Sequence, residues 1–213
     1  MKKFKRVLAL AMAVILSVPT IITTGMGTVP VKAAGDTVEL TVSSESAKYA
    51  GYETRKMYAG GNYAYCVQPS KKTPQSGTYE KHYDVENYVS NAGDETQAVQ
   101  SRNLAYYCWG APGFNASYFP STWYDGSAMD DDKYIALSHI MLSFLVSYDE
   151  VGSMHGCNSS FKNWVYQNVL GYNANGDLVN GQATLPILCW SAAPASFKVY
   201  TFHRKCDTEH SRL

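Results

Sequence analysis

The stretch Gly60-Gly61-Asn62-Tyr63-Ala64-Tyr65-Cys66-Val67 carries the most information about the fold of this chain. Its two glycines predict a turn, and the β-favouring residues that follow predict a strand over 63–67. Pro69 and Pro74 then mark a loop. Cys66 is therefore expected near the end of a strand, where it could be half of a disulfide, a catalytic nucleophile or half of an internal thioester.

The N-terminus has the features of a secretory leader. Four basic residues lie within positions 2–6, and Val7 to Val18 form an apolar segment of about a dozen residues, which is short for a membrane span. Val31-Lys32-Ala33 fits the small-x-small rule for cleavage. We therefore expect residues 1–33 to be a signal peptide and the protein to be secreted or cell-surface; an uncleaved membrane anchor is the alternative.

Composition supports an extracellular protein and argues against some partners. The formal net charge is +0, so no nucleic acid or anionic membrane surface is expected as a partner. The chain has 17 tyrosines but only 17% charged residues. Tyrosine-rich surfaces of low charge suit binding faces, although the plainer interpretation is that these side chains fill strands and a half-buried core.

The cysteines leave several pairings open. The chain contains 5, all of them after the predicted leader, and an odd number implies an unpaired thiol or an intermolecular bridge. Cys66 could pair with Cys108, Cys157 or Cys189, whereas Cys206 lies in a charged tail. No spacing matches a paired zinc site, so neither a metal nor another cofactor is predicted.

Periodicity predicts strands at both ends of the domain and helices between them. Alternation predicts strands over 37–43, 63–67 and 197–202. Helices are expected from about Thr96, with Asp94 as N-cap, and from the acidic run Asp130-Asp131-Asp132, which can cap free N–H groups.

A third helix is expected over 161–170, capped by Ser159 or Ser160, and the helix after the acidic run carries an apolar stripe from Tyr134 to Tyr148. The order of elements predicts an α+β fold: a β-sandwich or barrel with a helical insert between its early and late strands.

Several segments in the same order resemble the thioester domains of Gram-positive surface adhesins and pilus-tip proteins. Tyr65-Cys66-Val67 is similar to the family's aromatic-Cys-aliphatic motif, and 137–143 (LSHIMLS) is similar to its Thr-Gln-x-Ala helix motif, with His139 at the glutamine position. The segments 104–107 (LAYY), 110–113 (GAPG) and 130–134 resemble a clostridial-type branch. The resemblance covers most of residues 55–202.

The resemblance implies an internal Cys–Gln thioester, with Cys66 as its nucleophile and Tyr65, Val67 and His139 lining or supporting the site. A lysine amine of a host surface or extracellular-matrix protein would attack that bond. The protein would then be an adhesin that reacts once, and not an enzyme.

The sequence departs from the family pattern where the partner glutamine should stand. The family places it on a late strand, but residues 203–213 are charged and contain no glutamine. Gln68, Gln167 and Gln182 are poor substitutes by position. We therefore expect an adhesin domain over 34–202 and an atypical tail over 203–213, the result of truncation or frameshift of a longer protein.

Two other functions fit the same residues. A disulfide-stapled extracellular module could bind protein or glycan without a covalent bond. A secreted cysteine peptidase or amidase would pair Cys66 with His139, but His139 stands between apolar residues and no Asp or Asn orienting group is evident.

Overall fold

The computed structural model describes residues 11–15, 36–67, 72–83, 95–146, 154, 156–173, 177 and 182–203, with the backbone alone at 11–15, 95, 96, 202 and 203. The predicted N-cap Asp94, the glutamine Gln68 and the tail 204–213 lie outside these residues. Among the described residues, no helix has both the length and the apolar character needed to cross a membrane.

Antiparallel strands form a curled sheet. Five of them lie side by side in the order β4-β3-β2-β5-β6, and a sixth, β1, lies between β4 and β6 and closes the sheet into a barrel. The strands are β1 (Ala11–Ile15), β2 (Thr37–Tyr49), β3 (Tyr52–Ala59), β4 (Asn62–Cys66), β5 (Gly77–His82) and β6 (Lys198–His203).

Helices fill the connection between β5 and β6, so the predicted α+β class and the helical insert are confirmed. They are α1 (Glu95–Tyr107), α2 (Asp131–Val146), α3 (Ser159–Trp164), which continues as a π-helical segment over Val165–Leu170, and α4 (Thr184–Trp190). The short helix α4 was not expected from the sequence.

Two tight turns connect the first strands of the domain. Ala50 and Gly51 join β2 to β3, with φ of 51° and 90°, and Gly60 and Gly61 join β3 to β4, with φ of 57° and 82°. Positive φ at both central residues is the requirement of a type I′ hairpin turn, whose twist matches that of the strands. The turn predicted at Gly60-Gly61 is confirmed.

The sheet has an apolar core on each face. Inside the curl, a small cluster takes side chains from five strands: Val38, Leu40, Met57, Ala59, Ala64, Tyr79 and Tyr200. Against the outer face, the helices form a larger cluster that includes Tyr63, Tyr65 and Val67. Alternation along β4 therefore directs Tyr63 and Tyr65 to the helices and Ala64 and Cys66 to the interior.

Helix α2 is more deeply buried than a single apolar stripe predicts. Every residue from Ile135 to Phe144 is buried, because α2 packs between the sheet and the other helices. Its acidic start is confirmed as a cap: Asp130 Oδ1 accepts a hydrogen bond from the Lys133 backbone N–H at 2.9 Å.

The cap of α3 was predicted incorrectly. Asn158, and not Ser159 or Ser160, accepts hydrogen bonds from the first turn of the helix. The Asn158 N–H also donates to the Ala50 carbonyl at 2.7 Å, which fixes where this helix begins.

Candidate functional site

Cys66 is the last residue of β4 and lies at the side of that strand where β1 pairs. Its side chain is half-buried and packs against the cluster inside the curl. Tyr65 and Val67, its predicted companions, are buried on the other face of the sheet. Tyr65 and Val67 therefore face the helices, whereas Cys66 faces the interior of the curled sheet.

Tyr65 fixes the position of β4 relative to the helices. Its phenol donates a 2.7 Å hydrogen bond to the Trp109 carbonyl, while the Trp109 N–H donates to Ser138 Oγ of α2 at 3.0 Å. Burial raises the pKa of Tyr65, so the phenol keeps its proton and can donate. The backbone of Trp109, which follows α1, therefore connects β4 to α2.

Helix α2 also contacts the backbone of Cys66. Ser143 Oγ donates to the Cys66 carbonyl at 3.4 Å, and the same carbonyl lies close enough to His139 to favour a charged ring slightly. The structure therefore places His139 near the backbone carbonyl of Cys66.

His139 is buried and bonded to a residue that the sequence analysis did not select. Its Nδ1 makes a hydrogen bond with the phenol of Tyr52, a side chain that is 1% exposed. Burial raises the pKa of Tyr52, so the phenol keeps its proton, and the tautomer of the ring decides which of the two groups donates. Nε2 has no hydrogen-bond partner among the described residues.

Electrostatics keep His139 neutral. Burial lowers its pKa from 6.5 to about 4, and the Cys66 carbonyl offsets only part of this shift. A ring with so low a pKa is a weak base at neutral pH. The contact with the Cys66 carbonyl, the low pKa and the apolar surroundings favour a supporting role for His139 over the base of a cysteine peptidase.

Tyr52 also relates Cys66 to a second cysteine. The pKa of Tyr52 is raised first by burial and then by the negative charges that Cys157 and Cys66 would carry as thiolates, so both thiols lie within electrostatic reach of this phenol. Cys157 is half-buried, and burial raises the pKa of its thiol while Lys162 opposes the shift. The site thus contains two cysteines, of which only Cys66 carries the sequence motif.

The described cysteines Cys66, Cys108, Cys157 and Cys189 are all thiols in this structure, so no disulfide staples this part of the chain. Cys108 and Cys189 lie in the helical core, where burial raises the pKa of Cys189 to about 12. Within the part of the chain that the structure describes, no group of three or more His, Cys, Asp or Glu side chains could hold a metal ion.

Replacement of Tyr52 by phenylalanine is expected to lower the free energy of unfolding by about 1–3 kcal/mol, because it leaves His139 Nδ1 buried without its partner. Urea denaturation at pH 7.5 measures the change. Tyr58→Phe is the matched control: the half-buried Tyr58 has no hydroxyl hydrogen bond among those described, so a change below about 0.5 kcal/mol is expected. Equal losses in the two variants would contradict the proposed hydrogen bond.

The low pKa of His139 predicts a pH dependence of stability. A base whose pKa is depressed on folding contributes its full stability above the unfolded pKa of 6.5 and loses it as pH falls toward about 4. Between pH 7.5 and pH 5 the loss from this residue should be about 2 kcal/mol. Urea denaturation of wild type and His139→Gln at both pH values measures the contribution of His139 to this loss. Equal losses of stability in the two proteins would contradict the low pKa of His139.

No local feature of the sequence singles out Tyr52 or Ser143. Tyr52 is one of 17 tyrosines and is 87 residues from His139, and Ser143 is one serine of a helix. The aromatic-Cys-aliphatic stretch and the α2 motif were the detectable signals, and the fold brings these two segments together.

Comparison with protein families gives one match, which covers both of these segments. Residues 37–175, more than half of the chain, match a family model described as a thioester domain. The matched region contains Tyr52, Cys66, His139 and Cys157. The chain gives no significant match to a curated protein or to a solved structure.

Proposed function

This chain belongs to the thioester-domain family, and from that premise we propose that it is an extracellular adhesin that forms a covalent bond to its ligand through Cys66. Family membership makes it an adhesin-like covalent-binding domain in general. The observation that carries the finer assignment is the position of Cys66. Its thiol is half-buried at the end of β4, inside the curl, and Ser143 of α2 donates a hydrogen bond to its carbonyl.

The proposed chemistry has two steps. The Cys66 thiol attacks the side-chain carbonyl of a glutamine; the C–N bond breaks, ammonia leaves with the thiol proton, and a thioester remains. A lysine amine of the ligand then attacks the thioester carbonyl, the C–S bond breaks, and the products are an isopeptide bond and the restored thiol. Each Cys66 thioester is used once, so the protein is a binding module without turnover.

The surroundings of Cys66 suit the storage of such a bond. A thioester must be shielded from water until a ligand amine arrives, and the apolar cluster inside the curl covers one side of the cysteine. Partial exposure leaves a path for an incoming amine. The hydrogen bond from Ser143 to the Cys66 carbonyl holds the backbone that carries the thiol.

The thiol half of the bond is supplied by this domain, and the acyl half is a glutamine. The sequence has no glutamine after Gln182, so the family's late-strand position is not filled within residues 183–213. Among the described glutamines, the Gln97 amide donates to the Leu145 carbonyl at the far end of α2, which commits that side chain to a structural contact.

The ligand is proposed to be a host surface or matrix protein with an accessible lysine. This assignment follows from the chemistry, because a primary amine is the protein nucleophile that converts a thioester into a stable amide. The formal net charge of the whole chain is +0 and the predicted leader carries several of its basic residues, so the domain after cleavage has no excess of positive charge to attract a polyanion. The predicted leader would place the domain at the cell surface or in the medium.

Mass spectrometry of the mature protein from its native cells tests the proposal. A thioester lowers the intact mass by about 17 Da, and methylamine then adds about 31 Da. Fragmentation of the labelled protein identifies the glutamine that carries methylamine. A mature protein with its full sequence mass, and with no methylamine incorporated, would show that Cys66 forms no thioester.

A further inference from the structure

The strand that closes the barrel belongs to the segment predicted to be removed on export. β1 comprises Ala11–Ile15, within the predicted leader 1–33. It pairs antiparallel with β4 over Ala11–Ala13 and with β6 along its full length. Neighbouring strands lie about 4.8 Å apart, so removal of β1 leaves β4 and β6 about 10 Å apart, too far to bond directly and the right width for one strand.

Removal of β1 would leave two exposed sheet edges facing each other. β4 is bonded on its other side to β3, and β6 on its other side to β5, so each keeps one unpaired row of backbone N–H and C=O groups. Unpaired edges are templates for another strand. The gap also opens onto the apolar cluster inside the curl, to which Ala64 and Tyr200 belong.

We propose that the gap between β4 and β6 is a binding site for one extended, uncharged peptide strand. β1 fills it in the precursor, and a strand of a second polypeptide fills it after the leader has been removed. Main-chain hydrogen bonds to both edges supply the affinity, and the apolar interior selects the side chains. The proposal does not depend on the chemistry of Cys66.

The composition of β1 defines the ligand class. Ala-Met-Ala-Val-Ile is uncharged, as a strand beside an apolar interior requires. The chain's own tail is a poor occupant, because residues 204–213 contain Arg204, Lys205, Asp207, Glu209 and Arg212. Ala11 pairs with both Cys66 and Phe202, so the bound strand runs directly beside the site cysteine.

The first test uses the full chain. Ala13 pairs with Ala64 of β4 and Tyr200 of β6, and proline there removes an N–H and crowds the neighbouring strand. Ala13→Pro is expected to lower the Tm of the 1–213 chain by about 5 °C or more. Ala9→Pro, the same change outside β1, is the matched control, and equal Tm values for both variants would overturn the role of β1.

The second test uses the processed chain, residues 34–213, and a peptide of residues 9–17 with lysines added at both ends. At about a hundred times its Kd, this peptide should raise the Tm by about 5–10 °C and slow amide exchange in β4 and β6. The Ala13→Pro peptide should bind at least about tenfold more weakly. If the processed chain does not fold alone, the refolding yield with each peptide replaces the Tm.

Two outcomes would overturn the proposal. One is the absence of any difference between the two peptides in binding or refolding. The other is a dimer of the processed chain in which the β4 and β6 amides exchange slowly without any added peptide. That result would mean that the edges of β4 and β6 pair with a second copy of the chain.

Discussion

Replacement of Cys66 by alanine is expected to abolish methylamine incorporation completely and to restore the full sequence mass of the mature protein. The reason is chemical: alanine has no nucleophile, so the glutamine amide keeps its ammonia and no activated carbonyl is formed. Covalent capture of a lysine-bearing ligand, seen as a complex that survives boiling in SDS, should be lost with it.

Cys157→Ala is the matched control for this experiment. Cys157 is half-buried like Cys66, and both thiols lie within electrostatic reach of Tyr52. Cys157 lacks the strand motif, and burial raises the pKa of its thiol, so its loss should leave methylamine incorporation unchanged. Incorporation that survives Cys66→Ala and disappears in Cys157→Ala would transfer the proposed chemistry to the second cysteine.

The second large effect is expected for Gly51→Ala, which should lower the free energy of unfolding by about 2–5 kcal/mol. Gly51 has φ of 90°, and a Cβ added there would clash with the Gly156 carbonyl oxygen. A backbone atom cannot move aside cheaply. The turn between β2 and β3 would have to move away from the segment around Gly156 that leads into α3. Tyr52, the residue after Gly51, would then shift away from His139.

Gly61→Ala separates the two causes of this loss. Gly61 has nearly the same φ, 82°, in the neighbouring hairpin, but a Cβ there meets no atom within 4 Å. Backbone strain alone should cost this variant about 1 kcal/mol, measured by urea denaturation under the same conditions. Equal losses for the two variants would show that the contact between Gly51 and Gly156 is unimportant.

Local pattern was sufficient for β2, β4 and β6 and for the clearest helix, whereas β1, β3 and β5 were not predicted. The alternation over 63–67 predicted β4 within one residue at each end, and Gly60-Gly61 predicted its turn. The acidic start of α2 was identified because capping depends on atoms within a few residues. The α+β order followed from these elements.

Elements whose definition depends on distant contacts were missed. Helix α4 has only seven residues and contains a proline, so its own propensity is weak; it packs on α1, where Asn103 donates to the Cys189 carbonyl at 3.0 Å. The cap of α3 was predicted at Ser159 or Ser160, but Asn158 provides it. The contact of Asn158 with Ala50, far away in sequence, selected it.

The sequence by itself determined that Cys66 stands near the end of a strand within a motif similar to that of the thioester family, and that His139 lies on the helix after an acidic cap. Both conclusions need only periodicity and short motifs. The tertiary structure alone decided that His139 binds Tyr52, that α2 holds the Cys66 carbonyl, and that a strand of the predicted leader closes the barrel beside Cys66. These contacts join residues 87, 77 and 55 positions apart, and no local preference encodes them, because only the packing of the whole sheet against the helices brings such residues together.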